Sequence, residues 1–135
     1  MKIQFNLIAD TPNKNDTIYP KNVLKKAIEK FNEEKVKQGK AFGIIGQPIL
    51  EDVNLTEVAF KINELDEIDK SYVADIEILG TPNGKKLKKF VIDNLENYRI
   101  VTLGYGTIKK DEDGNRVIKK MKITGIGIEP IENCA

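Results

Sequence analysis

RIVTLGYGTI at Arg99–Ile108 and VIKKMKITGIGI at Val117–Ile128 flank the short polar stretch DEDGN, and the rest of the fold is built around this pair. Both runs are rich in β-branched residues and long for strands, and an Asp-Gly step lies between them, so they form an antiparallel hairpin. Asp113 and Gly114 are expected to supply the positive φ values of its turn. Working outward, Lys2–Ala9 alternates Ile3, Phe5 and Leu7 with Lys2, Gln4 and Asn6, the period of a half-buried strand. Ala41–Ile45 is a short apolar run between Gly39 and Gly46, expected as a buried strand. Val53–Leu65 and Tyr72–Leu79 alternate again and pair across a turn at Asp66–Lys70. Two segments change period. After the Asn- and Asp-rich loop Asp10–Asp16, Pro20 opens a helix whose apolar stripe is Val23, Leu24, Ala27, Ile28 and Phe31, ending near Gln38 and Gly39. Thr81 as N-cap and Pro82 as first residue open a second helix reaching about Glu96, with Leu87, Phe90, Val91 and Leu95 on its apolar side. The sum is an α+β fold: a mostly antiparallel, partly closed β-barrel with two helices, taken as one domain over residues 1–135.

At 135 residues there is length for one ordinary core and no room for separate cofactor and substrate domains. With 40% hydrophobic and 32% charged residues the chain has enough apolar matter to fold. Its formal charge of +1 gives no overall drive toward phosphate backbones, so no specific nucleic-acid partner is expected. The start MKIQFNLIAD is too short and too interrupted to cross or anchor in a membrane.

The absences restrict the chemistry further. There is no histidine, which removes the commonest general base and most zinc sites together. Ser71 is the only serine and Cys134 the only cysteine, so neither an intramolecular disulfide nor a cysteine cluster can form. No cofactor and no metal are expected. Lys85, Lys86, Lys88 and Lys89 read as the solvated side of the second helix. DEDGN lacks the twelve-residue spread of a calcium loop. Gly104 and Gly106 lack the third glycine and following helix of a dinucleotide site, and within a strand they mark a bulge or a close backbone approach.

Several blocks, in order, resemble the tailed-phage prohead maturation proteases. NKNDTIYPKNVLKKAI (Asn13–Ile28) resembles the family's loop, Tyr-Pro pair and helix; FGIIGQP (Phe42–Pro48) resembles its Gly-Glu-Leu-x-His-Pro block. VAFKINEL (Val58–Leu65) and LGTPNGKKLKKFV (Leu79–Val91) are similar to its next strand and its Thr-Pro-x-Gly helix start. VTLGYGTI (Val101–Ile108) is similar to the segment holding the serine nucleophile, and ITGIGIEP (Ile123–Pro130) to the closing strand.

The resemblance implies a herpesvirus-protease-like barrel that works in head assembly, with a serine and a histidine as its catalytic pair. Gln47 stands in place of that histidine, and Val101 and Thr102 are nearest the serine. An amide cannot take up a proton near neutral pH, and losing a nucleophile or its base costs a serine protease on the order of a millionfold in turnover. The expectation from these degenerate positions is therefore that the chain has no catalytic residues and is not an enzyme. It is expected to be a virion structural protein, an auxiliary or decoration module that binds the major capsid protein or other head proteins and is repeated on the capsid lattice, assembled in the host cytoplasm. Two alternatives stand beside it: a divergent maturation protease using Thr102, and an internal scaffold or core protein of the prohead.

Overall fold

The hairpin read from Arg99–Ile128 is the spine of the structure. The computed structural model describes residues 1–49, 54–91 and 94–134. In it β1 (Lys2–Gln4), β2 (Thr17–Ile18), β3 (Phe42–Ile45), β4 (Phe60–Ile68), β5 (Ser71–Ile78), β6 (Tyr98–Lys110) and β7 (Arg116–Pro130) form one sheet. β6 pairs antiparallel with β7 along its whole length. The other edge of β7 takes two parallel partners, β2 at Arg116 and Val117 and β3 at Ile126–Ile128. The sheet is thus mostly antiparallel, as expected, with two parallel pairings added on β7, because the chain enters β3 from a helix and not from a hairpin. From β3 the order runs through β4, β5 and β1. The sheet curls back on itself: Phe5 bridges Ile100 of β6, and the Asn6 N–H donates to the Ile100 carbonyl at 2.9 Å. This bridge closes the seam, so the barrel is partly closed, and among the described residues β6 makes no further main-chain bond on that edge.

α1 (Lys21–Phe31), extended by a π-turn over Asn32–Val36, packs against β7 through Leu24, Ala27, Ile28 and Phe31. Its charged face carries the expected pairs, Lys30–Glu34 at 3.9 Å and Glu33–Lys37 at 2.6 Å. The core these elements enclose centres on Ile3, Phe5, Phe60, Ile62, Ile100 and Ile126.

Four local expectations are corrected. Phe90, placed on the apolar side of the second helix, is 59% exposed. In α2 (Pro82–Val91) the buried residues are Gly84, Leu87 and Val91, and at 100° per residue Phe90 lies about 60° beyond the Leu87 edge of that stripe. Nor does this helix reach Glu96: it is described to Val91, residues 92 and 93 lie outside the described residues, and Leu95–Asn97 is a separate 3₁₀ turn. β4 runs on to Ile68, which tightens the expected turn to Asp69 and Lys70, with Asp69 at φ 56°; the expected start of this strand at Val53 lies outside the described residues. In the β6–β7 turn only Gly114 has positive φ, 82°. Asp113 is spared because the Asp111 carboxylate accepts the Asp113 and Asn115 N–H groups at 3.0 and 2.8 Å, supplying the bonds that hold the turn.

Candidate active site

Gln47 and Thr102 are brought together. After β3 the chain passes Gly46, crosses the outer face of β7, and buries Pro48. The crossing needs Gly127 beneath it: a Cβ there would collide with the Gly46 carbonyl oxygen and lie 3.0 Å from Pro48 Cδ. From this position the Gln47 Nε2 donates to the Thr102 carbonyl at 3.0 Å and to the Pro48 carbonyl at 3.4 Å. The contact is to the main chain of Thr102, not to its hydroxyl.

The structure also separates the two residues nearest the expected serine. Val101 is 1% exposed, whereas Thr102 is half-buried and lines a groove of about 440 Å³. Tyr19 and Thr17 form one wall of that groove, and Gly104, Gly106 and Met121 continue it along the hairpin. Two register shifts, which leave Thr124 and Lys119 of β7 unpaired, coil the hairpin here. Gly104 permits the close approach of the strands, since a Cβ on it would sit 2.6 Å from the Lys122 carbonyl oxygen.

The inventory of nucleophiles then narrows. Ser71 is buried and donates to the Leu7 carbonyl at 2.9 Å, tying the β1 side of the barrel together away from the groove. Cys134 is buried, and burial first, then Glu129, pushes its thiol above the ordinary range. Of the hydroxyls in the groove, Thr17 donates to the Asn15 carbonyl at 3.5 Å, while Thr102 makes no side-chain hydrogen bond among the described residues. Burial raises the Tyr19 phenol above its usual value, so this wall is neutral at physiological pH. Among the described residues no group of three His, Cys, Asp or Glu side chains is placed to hold a metal ion. Nor is any helix among them long and apolar enough to cross a membrane. Tyr19 and Thr17 were missed as site residues in the sequence, where the only signal was an aromatic residue between a polar loop and a helix start.

The profile of the prohead core protein serine proteases matches residues 3–131, nearly the whole chain, and the protein belongs to that family. In three dimensions it is similar to the capsid assembly protease of bacteriophage T4, with a TM-score of 0.83 at 22% identity over 94% of this chain and 79% of that one. No curated protein matches the sequence closely enough to count as a relative. The fold expectation is met: a prohead-protease-like barrel of curled sheet with two helices.

The expectation that the chain is not an enzyme is overturned, because the family that matches over residues 3–131 is one of serine proteases. The physical flaw lies in treating both positions as erased. A threonine keeps a hydroxyl where the serine is expected, so the nucleophile position is exchanged rather than emptied, and only the base position, Gln47, lacks a proton acceptor.

Proposed function

We propose that this phage head protein acts during prohead assembly as an endopeptidase that takes an extended segment of another head protein along the β6–β7 groove and cuts it at Thr102. The observation that carries this reading is the Thr102 hydroxyl, without a hydrogen-bond partner among the described residues, at the inner end of a groove about 440 Å³ in volume. An exposed strand edge supports it, since extended peptides bind by adding a strand to such edges.

The chemistry is an acyl transfer. Thr102 Oγ1 bonds to the scissile carbonyl carbon, the C–N bond breaks, and the hydroxyl proton leaves on the departing amine. Water then hydrolyses the ester and restores the hydroxyl. Gln47 takes no proton in this sequence; its part is to hold the main chain.

Purified protein incubated with the scaffold and capsid proteins of its own phage should yield discrete fragments. Thr102→Ala should abolish them and Thr102→Ser should retain them. Intact head proteins after long incubation with the unaltered chain would overturn the reading.

A further inference from the structure

Successive residues of a strand direct their N–H and C=O groups to opposite edges. In β6 the two edges can be told apart. The Ile100 carbonyl points to the seam, where it accepts the Asn6 N–H at 2.9 Å. The Leu103 carbonyl points the other way, accepting the Thr124 hydroxyl of β7 at 3.3 Å. Thr102 shares the parity of Ile100, so its carbonyl lies on the seam edge, one step past the last main-chain bond that closes the barrel among the described residues. The Gln47 amide meets that carbonyl at 3.0 Å, from 55 residues away in sequence. From Gly104 to Lys110 every residue of β6 is exposed, and the edge groups recur at every second residue.

We infer that Gln47 is a positioning residue: its amide caps the edge carbonyl of Thr102 and so fixes the register of a polypeptide paired along β6. With that carbonyl occupied, pairing starts at Gly104, and the bound chain passes Thr102 in a single alignment. Removing the cap adds one more pairing position, and a strand slips in steps of two residues if it is to keep the same side chains on the same face. This inference rests on the proposed cleavage at Thr102, but the cap itself does not.

The test uses Gln47→Met, which keeps the length and loses the donor, and Gln47→Lys, which keeps a donor. The carbonyl carbon resonance of Thr102 should move upfield in the Met variant and return toward its original position in the Lys variant; an unchanged resonance overturns the cap. When the cognate scaffold is cut by the unaltered chain, each cleaved segment should show one terminus. The Met variant should add termini displaced by two residues, and the Lys variant should restore the single set. Identical termini in all three proteins overturn the register role. A scaffold left whole by the unaltered chain overturns the proposed cleavage and the register role together, and the carbonyl resonance still decides the cap.

Discussion

Gly127→Ala concentrates the energetics of the site in one methyl group. Gly127 lies in β7 between Ile44 of β3 and Val101 of β6, with the Gly46–Pro48 crossing over its outer face. A Cβ would overlap the Gly46 carbonyl and press on Pro48 Cδ at 3.0 Å, and the first of these neighbours is backbone, which cannot swing aside as a side-chain end would. Overfilling a packed site costs about 1–3 kcal/mol. If the crossing lifts instead, the Gln47–Thr102 hydrogen bond goes with it, worth roughly 0.5–1.5 kcal/mol. Against this, exchanging glycine for alanine in an extended backbone returns about 0.5–1 kcal/mol. The net expectation is a loss of up to about 2.5 kcal/mol, which for a chain of this size lowers Tm by as much as roughly 8 °C, and a gap of about 1–3 kcal/mol from a glycine-to-alanine exchange made in open space. Urea unfolding followed by circular dichroism measures it, with Gly80→Ala as the control because nothing lies within 4 Å of a Cβ there. If Gly127→Ala unfolds within about 0.5 kcal/mol of Gly80→Ala, the crossing is not held over β7 as described.

Thr81→Ala should cost about 1–2 kcal/mol in the same assay, because the hydroxyl both accepts the Gly84 N–H at 3.0 Å and donates to the Val58 carbonyl at 2.5 Å, so a cap and a link to the sheet go together. In alkaline titration followed by tyrosine absorbance, Tyr19 and Tyr72 should ionise above pH 10, both chiefly through burial, with Glu67 and Glu29 adding to the rise at Tyr72. Their folded pKa values exceed the unfolded ones, so the stability they contribute is complete below pH 10 and is lost as pH rises through the folded values. Tyr19→Phe and Tyr72→Phe should each flatten that alkaline loss; an unchanged slope in both variants would contradict the burial described.

Much of the fold was legible because its signals are local. The β6–β7 hairpin announced itself through β-branched strands around an Asp-Gly step, and α1 through a stripe that recurs at three and four residues. Phe90 was misplaced because a short helix with apolar residues at Leu87, Phe90 and Val91 admits two stripes, and the choice depends on where the sheet lies. The parallel pairing of β3 with β7 carries no mark in either strand, since it is fixed by α1 bringing the chain back to the far edge of β7. At the site, Gln47 and Thr102 were legible as positions, through resemblance. Their meeting was not, because it depends on Gly127 giving room to a crossing segment some eighty residues earlier in the chain. The sequence also misled on chemistry, where a missing imidazole was taken as a missing activity.

Mass spectrometry of tryptic peptides from the protein, quenched while it processes its cognate scaffold, would capture an acyl intermediate on Thr102. Trypsin releases Ile100–Lys109 after Arg99, a peptide that contains Thr102. A fraction of this peptide should carry a scaffold-derived acyl ester on Thr102, and Thr102→Ala should abolish both adduct and cleavage. Scaffold cut equally well by the Thr102→Ala variant, with Ile100–Lys109 unmodified throughout, would contradict cleavage at Thr102.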